Sequence, residues 1–264
     1  MLLQIVDLEA GAKLRLVSEA VTLGAPPAGD NLFHKRTAEE WFGWIHSDLT
    51  QVLDPARLFS TTNASYFTDV SSDDTMLSLP GMTQQEIPGF PFPIHKTTYG
   101  WAYGCNVDPS CETDDPAWDA AKRALVIGQP TGSTQEVLIK EFPTNYDVDD
   151  VEEAFVDGVP GLRFFDGTVA FQPLDEVSGP GTSRRTFAGT DGSKVYILDT
   201  IVGFTVNDAQ DIIRSFGSLT GIQLDGGGST QMYYVNPDTQ GDGGIWSHVG
   251  RTVPDVLAVY LGPE

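Results

Sequence analysis

The feature that most limits how this chain can fold is the close spacing of its apolar runs beyond residue 160. Stretches at 162–165, 169–171, 184–188 and 194–198 concentrate β-branched and aromatic side chains, and Asp166-Gly167 and Asp191-Gly192 interrupt them. Strand-length runs joined by the dipeptide that tolerates left-handed turn conformations define a meander of hairpins. Further runs at 222–224, 232–235 and 256–260 complete the sheet. Upstream, alternation at 2–8 and 13–17 around residues 9–12 predicts a hairpin, and 58–67 and 136–142 predict two more strands.

Helical signals are fewer. Thr37 and Glu40 have capping-box spacing, followed by Trp41, Trp44, Ile45 and Leu49 at helical intervals. Pro116 opens an Ala-containing segment to Leu125 that reads as a short helix. Asn207 is placed to cap a helix carrying Ile212, Ile213 and Phe216, with Gly217 as its stop. Residues 69–118 are rich in Pro, Gly, Asp and aromatic side chains with weak periodicity, and read as a functional excursion. No repeat, linker or low-complexity run divides the chain. The expected fold class is α+β: a single domain over 1–264 with a mixed, largely antiparallel β-sheet packed with a few helices, residues 1–55 forming a hairpin-and-helix extension.

Net charge narrows the partners. With 37 acidic against 15 basic side chains, a formal charge of −22, the surface repels nucleic-acid backbones and anionic lipid. Hydrophobic residues at 40% and charged residues at 20% fit a globular chain with no membrane span. The amino terminus has early acids in place of a basic leader and apolar core, so no signal peptide is expected. An extracellular, periplasmic or virion-associated setting is favoured, and the oligomeric state stays open. Cys105 and Cys111, in a turn-rich loop, are either a local disulfide or two free thiols.

The most unusual segment is Asp225-Gly226-Gly227-Gly228-Ser229-Thr230, between two short strands. Three glycines cost conformational entropy, which calls for unusual dihedrals or close ligand approach, and successive amides can form a nest for an anion. A wide hairpin loop with glycines for geometry alone is the other reading. The segment is not a Walker loop or a dinucleotide fingerprint, because no Gly-Lys-Ser/Thr ending occurs and no helix opens at the glycines.

Four segments in order resemble the phosphodiester glycosidases. Asn63-Ala64-Ser65-Tyr66-Phe67 is similar to that family's Asn-x-x-Phe-Phe strand end. Arg185-Thr186-Phe187-Ala188-Gly189, running on to Asp199, is similar to its Arg-Thr-Ala-x-Gly strand pair. Ile222-Gln223-Leu224-Asp225-Gly226-Gly227-Gly228-Ser229 resembles its hallmark turn, with Gln223 where Asn is usual. Arg251-Thr252-Val253-Pro254 resembles its closing Arg-x-Val-Pro. The likeness spans about residues 60–262 and implies a hydrolase that cleaves the glycosidic C–O bond of a sugar 1-phosphodiester, such as an α-N-acetylglucosamine 1-phospho-sugar. It implies a phosphorylated glycan or polysaccharide as substrate.

The residues suit that chemistry. Phosphate is a good leaving group, so such a site must mainly hold charge and present a carboxylate to the anomeric carbon. Asp225 is the first catalytic candidate and Asp199, at a strand end, the second; Asp199 equally suits a turn cap. Arg185, Arg251 and the groups at Gly226, Gly227, Gly228, Ser229 and Thr230 are candidates for the phosphate. Arg251 also fits an ordinary surface ion pair. Asn63 would orient a hydroxyl or phosphate, or bond to backbone in a turn. His248 is a weak general-acid candidate. No cofactor is required. Oxygens at Asn106, Asp108, Glu112 and Asp114 offer a structural calcium loop, with a solvated acidic loop as the alternative. Two competing functions remain: a phospho-glycan-binding module of an envelope or virion assembly, and a metal-dependent phosphodiesterase.

Overall fold

Short runs in which every second side chain is apolar can bury one face only by pairing, and here they pair into two sheets. The computed structural model describes residues 1–19, 34–47, 54–65, 67–69, 89–91, 95–96, 102–103, 122–128, 134–141, 155–170, 184–200, 204–235, 243–246 and 251–262. Its strands are β1 (Leu2–Asp7), β2 (Lys13–Ser18), β3 (Leu58–Asn63), β4 (Phe67–Asp69), β5 (Gly89–Pro91), β6 (His95–Lys96), β7 (Ala102–Tyr103), β8 (Lys122–Gly128), β9 (Val137–Glu141), β10 (Phe155–Asp166), β11 (Val169–Ala170), β12 (Arg185–Thr190), β13 (Lys194–Asp199), β14 (Thr220–Gly226), β15 (Met232–Val235), β16 (Gly243–Trp246) and β17 (Asp255–Tyr260). The helices are α1 (Ala38–Ser47) and α2 (Val206–Ser215).

The larger sheet runs β1-β13-β12-β14-β10-β6-β7, with β8 and β11 also on β10 and β9 on β8; the smaller runs β16-β15-β3-β17-β2. Strands β4 and β5 form a separate pair. Every strand pairing among the described residues is antiparallel. The fold is α+β, as expected.

Alternation builds the layers. Ala188, Val195, Ile197, Ile222 and Leu224 of the large sheet meet Leu14, Leu16, Met232, Leu257 and Val259 of the small one in a shared core. The other face of the large sheet packs Phe187, Tyr196 and Leu198 on Val206, Ala209 and Ile213 of α2. The outer face of the small sheet packs Val17, Val256, Ala258 and Tyr260 on Trp41 and Ile45 of α1. Burying each such aliphatic or aromatic side chain is worth about 1.5–3 kcal/mol. The free edge of β2 is covered by side chains: Gln135 Oε1 accepts from the Leu14 amide at 2.7 Å, and Asp157 Oδ2 accepts from the Leu16 amide at 3.0 Å and Arg15 Nε at 2.7 Å.

Three expectations need correction. Strands β1 and β2 form as read but are not a hairpin, since β1 pairs with β13 and β2 with β17. Each strand gains a place in a multi-stranded sheet, which buries more than an isolated two-stranded ribbon can. Residues 122–125 of the expected 116–125 helix belong to β8; 116–121 lie outside the described residues. The run Ala124-Leu125-Val126-Ile127 is fully buried between β9 and β10, so strand packing outweighs the helical preference of its alanine. The cap of α2 is Thr205, not Asn207: Thr205 Oγ1 accepts from the Asp208 amide at 3.0 Å and Asp208 Oδ2 accepts from the Thr205 amide at 2.8 Å. Phe216 lies beyond the helix with 53% of its surface exposed, and Gly217 follows at φ +106°. The Thr37–Glu40 capping box is formed as expected.

Candidate active site

The pairing register gathers the singled-out residues at one end of the two stacked sheets. Arg185 lies opposite Gly226, Thr186 opposite Asp199, and Asn63, at the end of β3, opposite Val256 beside Asp255. Strand ends are where a sandwich can leave backbone groups and side chains unburied by further pairing.

The glycine turn is fastened from both sheets. The Asp225 amide donates to the Ala64 carbonyl at 3.2 Å, Asn63 Nδ2 donates to the Asp225 carbonyl at 2.9 Å, and the Gly227 amide donates to the Arg184 carbonyl at 2.7 Å. Gly227 has φ +63°, a left-handed conformation that glycine adopts at little cost. Residues Gly227–Ser229 form one 3₁₀ turn closed by the Thr230 amide donating to the Gly227 carbonyl. Two of the turn's amides are engaged within the protein: Asp225 Oδ1 takes that of Gly226 at 2.7 Å and the Arg184 carbonyl takes that of Gly227.

Both arginines line this turn. A Cβ on Gly226 would stand 3.6 Å from Arg185 Cγ, and one on Gly228 would stand 3.5 Å from Arg251 Cδ. Arg185 is buried and Arg251 exposed, so the turn is flanked by one fixed and one solvent-facing cation.

Asp225 keeps a partial solvent-accessible face while protein surrounds the rest of it. Burial raises its pKa to about 6, against the pull of the Ser229 hydroxyl, the Gly226 amide and the Arg251 charge; the Asp255 carboxylate adds to the rise. Asp199 differs. Its strand end is where the sequence places it, but the side chain is fully covered because the Thr186–Asp199 pair shares the inner face of Ala188 and Ile197. Burial pushes its pKa up to about 7, opposed mainly by the neighbouring Thr186 hydroxyl. Neither carboxyl oxygen has a hydrogen-bond partner of normal geometry, and the Thr186 proton is directed to Asn63 Oδ1 at 2.8 Å.

Asn63 is a hub rather than a surface donor. It is fully buried, and its Oδ1 accepts from Thr186 and, at 3.0 Å, from the Gln231 amide, while Nδ2 holds Asp225. Ser229 is buried, with its Oγ beside Asp225 and no hydrogen-bond partner of normal geometry; Thr230 is buried next to it. His248, Asn106, Asp108, Glu112, Asp114, Cys105 and Cys111 lie outside the described residues. Among the described residues no group of three or more His, Cys, Asp or Glu is placed to hold a metal ion, and no helix is long and apolar enough to cross a membrane.

Sequence reasoning missed three participants. Asp255 is fully buried and accepts from the Ser65 amide at 2.8 Å. Thr186, which neighbours Asp199, donates to Asn63, and Gln231 links Asn63 to Arg251, whose carbonyl takes Gln231 Nε2 at 2.7 Å. The signal for Asp255 was its position directly after the Arg-x-Val-Pro segment.

Such an arrangement defines a two-sheet α+β protein with a glycine-rich turn built against a carboxylate. Residues 115–260 match the phosphodiester glycosidase family, and the chain belongs to it. Among solved structures it is similar to the catalytic domain of zebrafish N-acetylglucosamine-1-phosphodiester α-N-acetylglucosaminidase, auto-inhibited by its pro-peptide. That match has 12% identity and a TM-score of 0.46, covering 98% of this chain and 87% of that one. A hypothetical protein from Synechocystis matches at 10% identity and TM-score 0.46 over 98% of this chain; this chain spans only 58% of its length. A putative exported protein from Burkholderia pseudomallei matches at 13% identity and TM-score 0.45, covering 98% and 73%. No curated protein matches the sequence.

Proposed function

We propose that the protein hydrolyses the glycosidic C–O bond of a sugar 1-phosphodiester, of the α-N-acetylglucosamine 1-phospho-sugar kind, releasing free sugar and a phosphomonoester. The observation that carries this reading is the meeting of Asp225, the Gly228 and Ser229 amides, Arg185 and Arg251 on one turn. Oriented amides and guanidinium groups stabilise charge as it develops on a departing phosphate, and cost no reorganisation when it forms. Water supplies the hydroxyl gained by C1, its second proton ends on the phosphomonoester or solvent, and no cofactor enters.

Asp225, ionised above its pKa of about 6, faces the anomeric carbon and stabilises the oxocarbenium-like transition state. Asp199 acts from behind. Held neutral by burial, it can donate to Thr186 Oγ1, whose own proton already goes to Asn63, and so braces the residue that fixes the Asp225 carbonyl. Hydrolysis of an α-N-acetylglucosamine 1-phosphodiester in ¹⁸O-water tests the reading. Heavy oxygen on the sugar, with turnover abolished by Asp225→Asn, is expected. Heavy oxygen on the phosphate would identify a phosphodiesterase, and binding with no product a lectin-like module; either overturns it.

A further inference from the structure

Arg251 is exposed and precedes β17 in a segment outside any strand, yet its backbone is held from an unexpected direction. Gln231 Nε2 donates to the Arg251 carbonyl at 2.7 Å, and Gln231 Oε1 accepts from the amide of Ala38, the first residue of α1, at 2.8 Å. Two residues on, Val253 exchanges backbone hydrogen bonds with Arg36 at 3.0 and 2.8 Å, and its carbonyl also takes Trp41 Nε1 at 2.9 Å. The Arg36 guanidinium pairs with Glu19 and lies 4.7 Å from the ring centre of Trp41 and 5.2 Å from that of Trp44. All of these N-terminal residues precede the family-matched 115–260.

Gln231 is also joined to the carboxylate side of the site. Its backbone amide donates to Asn63 Oδ1 at 3.0 Å and its carbonyl accepts from the Asn63 amide at 3.2 Å, and Asn63 in turn holds the Asp225 carbonyl. A side chain only 4% exposed, with its oxygen and nitrogen both engaged, has one conformation open to it. The Arg251 backbone is thereby fixed relative to Asp225.

We propose that Gln231, anchored on the N-terminus of α1, is a positioning residue that sets Arg251 at the Gly228–Ser229 amides to receive the substrate phosphate. The inference rests on the hydrolase reading above for the assignment of phosphate to that turn. It makes residues 36–41 part of the phosphate-binding apparatus, because they carry the anchor to which the Arg251 segment is tied.

The test compares wild type with two variants. Gln231→Glu keeps an acceptor for the Ala38 amide but turns an oxygen toward the Arg251 carbonyl; Gln231→Met removes both bonds without burying a charge. Kinetics on an α-N-acetylglucosamine 1-phosphodiester give kcat and KM, and calorimetry gives the Kd for inorganic phosphate. Displacement of a guanidinium by a fraction of an ångström predicts a rise of about tenfold in KM and in phosphate Kd for both variants, with a smaller change in kcat. A purely structural role alters the amount of folded enzyme, which scales kcat and leaves KM and Kd at wild-type values; that result overturns the proposal while the hydrolase reading stands. Phosphate binding that weakens in the variants, with no turnover by wild type, supports the positioning role and removes the hydrolase reading. Wild type that neither binds phosphate nor turns over overturns both.

Discussion

Replacing Asp199 with asparagine keeps the shape of the side chain and removes its ability to ionise. In the folded protein this carboxyl is covered and burial raises its pKa from 3.8 to about 7. In the unfolded chain it titrates near the lower value. Between the two, the folded state keeps a proton that the unfolded state has released, so stability falls as pH rises. The contribution of neutral Asp199 is complete below the unfolded pKa of 3.8 and is lost as pH climbs through about 7. A gap of that size corresponds to on the order of 4 kcal/mol. Asp199→Asn has no such loss, and of the other titrating groups the Met1 amino group is the one coupled by charge to Asp199. Urea unfolding at constant ionic strength, repeated from about pH 4 to about pH 8, should show the variant gaining on wild type by on the order of 4 kcal/mol across the range. A difference that stays flat with pH would mean Asp199 ionises as readily folded as unfolded, and the bracing role through Thr186 and Asn63 would lose its physical basis.

Two further outcomes follow from the turn itself. Alanine at Gly227 has open space around its Cβ but must hold φ +63°, at a cost of about 1–2 kcal/mol. Alanine at Gly226 meets the Arg184 carbonyl oxygen at 3.0 Å, whereas alanine at Gly228 makes ordinary contact with Arg251 at 3.5 Å. Thermal melts should place Gly226→Ala and Gly227→Ala below wild type and Gly228→Ala level with it; equal losses at all three would contradict the geometry. For activity, protonation of Asp225 at about 6 should bend kcat/KM downward on the acid side of that value. An acid limb that begins only near 4, the range of an ordinary exposed carboxylate, would show that Asp225 is not the group being titrated.

What could be read from the chain depended on how local the physics was. Strands β12 and β13 were legible because their alternation and the Asp191-Gly192 turn between them lie within sixteen residues, and the pairing register follows from that turn. Helix α1 was legible for the same reason, its capping box being made by Thr37 and Glu40 within the same turn. Pairing between distant segments was not. The sequence neighbours β1 and β2 look like one hairpin, but what places them is competition among edges of two sheets, and the partners they take lie nearly two hundred residues away or more. Strand β8 was hidden likewise, because the helical preference of Ala124 is overridden by partners at β9 and β10 that a local window does not contain.

The site follows the same division, one level down. The ordered motifs around Asp225, Arg185 and Arg251 were sufficient to name the family. The direction each side chain takes is set by layer and register, which composition does not carry. Asp199 and Asn63 both sit at strand ends, where a sequence reading expects exposure, yet both face inward because their strands stack on the opposite sheet at that end. Their polarity is used within the protein: Thr186, beside the covered carboxyl, begins a chain of hydrogen bonds through Asn63 and Gln231 to the exposed arginine, passing beside Asp225. A glycine-rich turn needs such a chain behind it. Glycine backbone rotates freely, so on the proposed reading the rigidity that would let amides and guanidinium groups meet a phosphate at fixed distances has to come from buried neighbours that cannot move.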